Sequence, residues 1–274
     1  MPELIDCHVH TARCGHASGE ASEYIEAARR RSISTLVFTE HLPLPQRLDP
    51  MRRLSLHPDD LAVYAEEILA LAAATVDVKV VLGIEVDWLP GDEEHMLAML
   101  HSARALGVQV VMGSVHFLGD WAFDDPAEIG RWSDQDVDAV YAEYFDRWSQ
   151  ATASGIFDVM AHPDLPKKFG HRPSGDTSAM YAQAAAAAAS SATAIEISTA
   201  GLRKPVGEMY PAPRLLEAFF AAGVQVTVGS DAHAPTDVGR SLEQAYALAA
   251  SVGYTSLVCP DGEGQWRKVD IWAP

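Results

Sequence analysis

His8 and His10 are separated by one residue and directly follow an apolar stretch, as two imidazoles on one face of a strand would. Side chains at positions i and i+2 of an extended segment point the same way, so both rings could hold one cation. Further imidazoles and carboxylates recur where later apolar runs end: Glu40, His41, Glu85, His116, His162, Asp231 and His233. These residue types and positions indicate a metal site.

The elements that must position these groups alternate along the chain. Short β-branched runs are typical of strands, and longer alanine-rich amphipathic stretches are typical of helices. The predicted strands cover residues 4–8, 35–39, 78–85, 108–115, 157–161, 194–198 and 225–229. The predicted helices cover residues 20–31, 58–74, 92–106, 134–154, 177–190 and 212–222. This alternation predicts a parallel sheet with crossover helices.

About seven such units in 274 residues predict a single-domain α/β barrel spanning residues 1–274, since one barrel commonly takes this length. Catalytic groups of (β/α) barrels converge at the C-terminal ends of the strands, where these candidate ligands fall. Burying so many ionisable groups without partners would be costly, and shared cations would remove that cost. We therefore expect the metal site at this end of the barrel.

Composition narrows the class of partner. The formal net charge of -18 argues against a nucleic-acid partner bound through a broad basic surface. A small anionic substrate stays compatible with this charge, because bound divalent cations dominate the field in their own pocket.

Localisation is also an expectation from the sequence. The chain has no apolar run near the roughly 20 residues that cross a bilayer, and its N-terminus lacks the features of a signal peptide. Cys7, Cys14 and Cys259 are irregularly spaced, which fits reduced thiols. We expect a cytoplasmic protein without membrane association, and the sequence does not decide its oligomeric state.

Longer sequence segments are more specific than any single histidine. DCHVH, TEH, GIE, GSVHF, AHPD and GSDAH occur in this order at the predicted strand ends. They resemble the motifs of the polymerase and histidinol phosphatase (PHP) superfamily, and the resemblance covers essentially the whole chain. AHPDLPKKFG, STAGLRKPVGEMYP and the CGHA segment resemble the histidinol-phosphatase branch. The resemblance implies a distorted (β/α)7 barrel of the PHP type.

The same resemblance implies a centre of three divalent metal ions. One ion would take His8, His10, Glu85 and Asp231. A second would share Glu85 as a bridging carboxylate and add His116 and His162. The third would take His16, His41 and His233. Asp6 and Glu40 would lie behind the ligands, and Glu40 would orient a ligand imidazole.

The implied chemistry is phosphate-ester hydrolysis. Histidine-rich mixed coordination suits Zn, Mn or Fe, whereas Mg prefers oxygen ligands. Adjacent divalent cations lower the pKa of a bound water and offset charge on the phosphoryl group. The expected catalytic groups are Glu85, Asp231 and His233, and either of the last two could pass a proton to the departing alkoxide. The expected phosphate-binding side chains lie in two loops: Arg203, Lys204, Lys168, His171 and Arg172.

The leading hypothesis is a phosphatase that hydrolyses L-histidinol phosphate to L-histidinol and phosphate in histidine biosynthesis. A PHP phosphoesterase acting on a nucleotide or an oligonucleotide end is the nearest alternative. A metal-dependent amidohydrolase is another, although such enzymes commonly bridge their metals with a strand-end lysine, and Glu85 fills that place here. The third alternative is a noncatalytic metal-binding protein that retains the fold.

Overall fold

The computed structural model describes residues 3–271. Seven parallel strands form one sheet, and their bounds are β1 (Leu4–Val9), β2 (Ile33–His41), β3 (Lys79–Asp87), β4 (Val110–Ser114), β7 (Val159–Met160), β8 (Ala194–Ser198) and β9 (Val226–Gly229). They are hydrogen-bonded in that order. A parallel bridge between Val9 and Ala232 joins the first strand to the segment after the last, so the sheet closes nearly into a barrel.

Helices follow the strands and pack against the sheet. They are α1 (Ala21–Arg30), α2 (Leu61–Ala74), α3 (Glu93–Ala105), α4 (Val137–Ala153), α5 (Ser178–Ser191), α6 (Pro213–Ala221) and α7 (Leu242–Val252). Tyr24 of α1, Ile68 of α2 and Phe219 of α6 are buried in the same core as the strand residues Phe38 and Ile84. The apolar faces of the helices therefore supply the outer layer of the hydrophobic core.

The seam between β1 and β9 is held by a buried carboxylate. Asp6 Oδ1 accepts a hydrogen bond from the Ser230 amide at 2.8 Å, and its Oδ2 accepts from Ser230 Oγ at 2.6 Å. The Gly239 amide donates to the same Oδ2 at 2.8 Å. Burial raises the pKa of Asp6 and these hydrogen bonds oppose the rise. Asp6 thus connects the first strand to the loop after the last strand.

Two antiparallel strand pairs were not predicted from the sequence. The hairpin of β5 (Phe117–Leu118) and β6 (Trp121–Ala122) follows β4, and the C-terminal ribbon consists of β10 (Ser256–Pro260) and β11 (Trp266–Asp270). In β11 only Val269 is buried, so the alternation that marks a strand is weak in its sequence. Helix α7 also lies beyond the last predicted element.

The ribbon covers the N-terminal end of the barrel. Arg267 of β11 pairs with Glu3, which precedes β1, and reaches Thr35 near the start of β2. Val258 of β10 packs with Met112 and with Ala194, the first residue of β8. The opposite end of the sheet, at the C-terminal ends of the strands, contains a cavity.

The predicted fold class is confirmed, because all seven predicted strands and all six predicted helices overlap observed elements. The alanine-rich run in residues 182–194 forms most of α5, which buries Ala184, Ala185 and Ala188. Small side chains allow close packing there, and alanine has the highest helix propensity. Within residues 3–271, no helix combines the length and apolarity needed to span a membrane.

Candidate metal centre and active site

The C-terminal ends of the strands bring the nine predicted metal ligands to one place. A cavity of about 330 Å³ opens there, and seven of the nine line it. His8 and His10 lie behind these residues and are completely buried. The predicted ligands are His8, His10, His16, His41, Glu85, His116, His162, Asp231 and His233.

The first group of donor atoms surrounds a point between β1, β3 and the loop after β9. His8 Nε2 lies 2.9 Å from His10 Nε2, and both nitrogens face Glu85 Oε2, at 3.5 and 3.6 Å. Asp231 Oδ1 is 3.3 Å from His10 Nε2 and 3.8 Å from His8 Nε2. Two facing imidazole nitrogens cannot both donate to each other, so this convergence fits a set of ligands around a cation.

Glu85 lies at the centre of the cluster. Its Oε1 is 3.0 Å from His162 Nε2 and 3.9 Å from His116 Nε2. Its Oε2 is 3.1 Å from His41 Nδ1, yet within residues 3–271 no donor approaches this buried oxygen with hydrogen-bond geometry. A buried carboxylate oxygen without a donor is costly unless a cation is bound, so Glu85 fits a bridging position between two ions.

The third group contains His16, whose place could not be predicted from strand geometry. His16 Nε2 lies 3.0 Å from His233 Nε2, and the ring centroids of His16 and His41 are 5.3 Å apart. His16 Nδ1 is 3.0 Å from the Arg53 carbonyl oxygen, which leaves Nε2 for the cluster. Gly15, directly before His16, has φ of 85°, in the left-handed region that favours glycine.

Carboxylates behind the imidazoles set their orientation. Glu196 Oε1 is 2.8 Å from His8 Nδ1, Glu40 Oε1 is 3.3 Å from His10 Nδ1, and Asp87 Oδ1 is 3.0 Å from His116 Nδ1. A hydrogen bond at the far ring nitrogen fixes the tautomer and leaves Nε2 free to ligate. These carboxylates are what a metal-binding histidine requires.

The contacts of Glu196 and Asp87 with these histidines were not predicted from the sequence. Each had a signal, because Glu196 is the charged residue of the otherwise apolar or neutral strand AIEIS, and Asp87 follows Glu85 at i+2 in GIEVD. Glu196 has a second role, since its Oε2 accepts the His162 amide at 2.8 Å. One buried carboxylate therefore positions residues from two different strand ends.

The groups of the cluster shift one another's pKa values in both directions. Burial alone would lower the pKa of His10, but its contacts with Asp231 and Glu40 outweigh this and raise it to about 9. Burial opposes ionisation of Asp231, yet the neighbouring His8 and His10 hold its pKa well below the usual range. Burial and the nearby His10 lower the pKa of His41 and His233, so these rings are neutral and can donate a lone pair.

Lysine side chains line the outer part of the cavity. Lys168 and Lys204 both line it, and Lys168 Nζ lies 2.8 Å from Asp124 Oδ2. Burial, followed by the charge of Lys168, lowers the pKa of Lys204. Arg203, the residue before Lys204, is not among the residues that line the cavity. Its Nη2 donates to the Ser230 carbonyl at 2.6 Å, its Nε lies 3.5 Å from Asp237 Oδ2, and its buried Nη1 has no hydrogen-bond partner among the described residues.

The other two predicted phosphate ligands lie elsewhere. The His171 ring stacks on Trp132 with centroids 4.2 Å apart, and Arg172 pairs with Glu208 while half exposed. Neither lines the cavity. The loop turns after Lys168, because Gly170 adopts φ of 93° and ends the short 3-10 helix, so the chain leaves the site before His171. In the sequence, Gly170 is the one residue that indicates this turn.

Comparisons with known proteins agree on one family. The PHP domain model matches residues 6–200. A probable histidinol-phosphatase of Deinococcus radiodurans is 39% identical over 260 residues, covering 92% of this chain and 95% of that protein. A histidinol-phosphatase of Bacillus subtilis is 26% identical over 263 residues, covering 87% of this chain and 96% of that protein.

A solved structure shares the fold. Histidinol phosphate phosphatase of Lactococcus lactis, crystallised with zinc, L-histidinol and phosphate, superposes with a TM-score of 0.76 at 21% identity. The alignment covers 97% of this chain and 99% of that one. The motif order, the barrel and the matched length therefore lead to one conclusion: this chain belongs to the PHP domain family.

Proposed function

We propose that this protein is a metal-dependent phosphomonoesterase that hydrolyses L-histidinol phosphate to L-histidinol and phosphate. The observation that carries the proposal is the convergence of nine imidazole and carboxylate ligands beside two lysines in one cavity. The relatives described as histidinol-phosphatases, which match over nearly their whole length, support the choice of substrate.

The proposed cofactor is a centre of three divalent ions, each of Zn, Mn or Fe. The first would be held by His8, His10, Glu85 and Asp231, the second by Glu85, His116 and His162, and the third by His16, His41 and His233. His8, His10 and Glu85 form one group of donor atoms that could hold an ion, and His10, His41 and His233 form another. When bound, such ions supply an activated water and offset the charge of the phosphoryl group.

The protein's own cationic groups complete the phosphate site. Lys168 and Lys204 line the cavity beside the cluster, so their ammonium groups can neutralise phosphoryl oxygens that point away from it. Arg203 precedes Lys204 in the chain, and its buried Nη1 has no hydrogen-bond partner among the described residues. Such a nitrogen can donate a hydrogen bond to a bound anion. We do not include His171 and Arg172, because both have other contacts outside the cavity.

The departing alkoxide needs a proton. Asp231 and His233 both line the cavity, and His233 Nδ1 lies 3.3 Å from Asp231 Oδ1. This pair can hold a proton between its two facing atoms, on the side of the cluster that is open to substrate. Both residues would also be metal ligands, so the proposal places proton transfer on the pair rather than on either residue alone.

The reaction is proposed to take place in the cytoplasm. Cys7, Cys14 and Cys259 are all buried free thiols. Reduced cysteines are typical of proteins in a reducing compartment.

The test combines elemental analysis with a small substrate panel. Protein purified without chelators is expected to contain bound transition metal and to release phosphate from L-histidinol phosphate faster than from p-nitrophenyl phosphate or a nucleoside monophosphate. Chelator should abolish release and added metal should restore it. Equal rates on all the esters would overturn the substrate, and activity that survives complete removal of metal would overturn the mechanism.

A further inference from the structure

The cavity presents two chemically different walls next to the metal cluster. One wall is apolar and consists of Leu44, Leu54, Phe117 and Ala122, which belong to a single hydrophobic cluster. The other wall carries Asp124 and the lysines. A substrate that fits both walls has a charged end near the metal ions and a flat or apolar part beside Phe117.

Five carboxylates line this cavity, and four of them already have a role. Glu85 and Asp231 belong to the metal cluster, and Asp87 contacts His116. Asp125 accepts the Ala127 amide at 2.8 Å and begins a 3-10 helix. Asp124 is the fifth, and it neither belongs to the metal cluster nor caps a helix.

Asp124 is buried next to Lys168, and the two side chains are 16% and 13% exposed. Among the described residues, its side-chain hydrogen bonding is confined to Oδ2, which accepts from Lys168 Nζ at 2.8 Å. A lysine that only bound phosphate would not need a carboxylate that cancels its charge. A buried carboxylate with a free oxygen is instead suited to a second cation.

We propose that Asp124 binds the ammonium group of the substrate and so determines specificity for phosphate esters of vicinal amino alcohols. This inference rests on the proposed function. In L-histidinol phosphate the amino group is on the carbon next to the one that bears the ester oxygen. A group that recognises this amine must therefore lie beside the phosphate site, as Asp124 does through its contact with Lys168.

The position of Asp124 in the chain strengthens the inference. It follows Ala122 of the β5–β6 hairpin by two residues, so the same turn supplies part of the apolar wall and the carboxylate. The imidazole ring would lie against Phe117 while the ammonium group meets Asp124. The phosphate would then face Lys204 and the cluster.

The test compares two substrates in three forms of the metal-loaded enzyme. The substrates are L-histidinol phosphate and 3-(imidazol-4-yl)propyl phosphate, which lacks only the amino group. The forms are the wild type, Asp124→Asn and the matched control Asp125→Asn, since asparagine also caps a helical turn. The readout is the ratio of kcat/KM for the two substrates, together with the affinity for L-histidinol by calorimetry and the metal content.

The wild type should prefer the amino substrate, and Asp124→Asn should reduce that ratio about 10- to 100-fold, as loss of one charge-assisted hydrogen bond predicts. Most of the change should appear in KM, and the affinity for L-histidinol should fall by a similar factor while metal content is kept. Asp125→Asn should keep the wild-type ratio. Any disturbance of Lys168 lowers both substrates alike and cancels in the ratio.

Three outcomes would count against the inference. Equal losses on both substrates in Asp124→Asn would mean that Asp124 acts only by positioning Lys168. A wild type that hydrolyses both esters equally well would mean that no group recognises the amine. A wild type that releases no phosphate from L-histidinol phosphate would overturn the proposed function, and this inference with it.

Discussion

Glu85 has five imidazoles around its carboxylate and is almost completely buried. A single negative charge cannot satisfy so many donors. Its two oxygens face different histidines, with His162 on one side and His41 on the other. This division fits the proposed place of Glu85 between two metal ions.

Replacing Glu85 with glutamine should empty the centre while keeping its shape. The amide has nearly the same volume but no charge, so we expect at least two ions to be lost and turnover to fall by roughly 100-fold or more, since changes in outer-shell partners alone cost about 10- to 100-fold. Elemental analysis and a phosphate-release assay measure both effects. Glu66→Gln on the exposed side of α2 is the matched control, and retained metal and rate in Glu85→Gln would refute the bridging role.

Of the two carboxylates that were not predicted from the sequence, Glu196 lies closer to a predicted ligand. It contacts the His8 ring and the His162 amide with different oxygens. Glutamine at this position can accept only one of these hydrogen bonds, because its NH2 group would face either a donor or a ring nitrogen that must keep its proton.

We therefore expect Glu196→Gln to lower the affinity for metal roughly 10- to 100-fold without unfolding the protein. Competition with a metal-sensitive chelating dye measures the affinity, and circular dichroism monitors the fold. Glu217→Gln, on the exposed face of α6, should behave as the wild type. Unchanged affinity in Glu196→Gln would show that His8 is held in place by packing alone.

At the scale of elements, the close packing of β1, β8 and β9 brings His8 of β1 and Glu196 of β8 within hydrogen-bonding distance. Gly229 ends β9, and a Cβ atom there would lie 2.2 Å from Glu196 Oε1 and 2.5 Å from His8 Cβ. The glycine is required by contact rather than by its backbone angle. Strand β9 can therefore pass directly behind the pair formed by Glu196 and His8.

Gly229→Ala should displace this pair and weaken metal binding more than it destabilises the fold. Overpacking of this kind costs about 1–3 kcal/mol of unfolding free energy, which a protein of this size tolerates. Gly130→Ala is the control, because no atom lies within 4 Å of its added methyl group. Urea unfolding gives the stability and dye competition gives the affinity; a Gly229→Ala protein with wild-type affinity would contradict this account.

The strand ends also carry the backbone strain of the site. His162 and Asp231 adopt positive φ of 24° and 49°. Each is separated from the end of a short strand by one residue. Residues other than glycine in this region store strain that the surrounding structure must hold. The seam residue Asp6, which fixes Ser230 beside Asp231, is one source of that support.

At the scale of the molecule, the two ends of the barrel have different tasks. The C-terminal end contains the predicted metal ligands, and the N-terminal end is covered by the β10–β11 ribbon. Arg267 contacts Glu3 with both of its terminal nitrogens, and this hydrogen bond lowers the pKa of Glu3. Because the pKa is lowered on folding, the ion pair stabilises the protein above the usual value of 4.5 and is lost as pH falls through the folded value.

Glu3→Gln should therefore lower the free energy of unfolding at neutral pH by no more than about 1 kcal/mol, since both side chains are more than one third exposed. The difference from the wild type should vanish at an acidic pH below the lowered folded pKa of Glu3, where Glu3 is protonated in both states. Urea unfolding at both pH values measures it, with Glu263→Gln in the ribbon turn as the control. A difference that persists at low pH would mean that Glu3 acts by packing.

The sequence by itself determined the barrel and the direction in which its ligands converge. Short β-branched strands that alternate with amphipathic helices predict a parallel sheet, and the C-terminal ends of parallel strands lie at one edge, so residues such as His8, Glu85 and Asp231 were expected to meet. Even the low-complexity alanine run could be recognised as a packed helix. The family motifs then led to the predicted ligand sets and to the proposed substrate.

Only the tertiary structure decided which partner each group meets. That Glu196 contacts His8, that Asp124 contacts Lys168, and that His171 turns away onto Trp132 depend on distances between segments far apart in the chain. Local periodicity specifies the direction of a side chain within its own element, whereas loop paths and strand spacing are set by packing of the whole core. The ribbon was not predicted for the same reason. Its strands are identified by their contacts with the barrel rather than by a pattern in their own sequence.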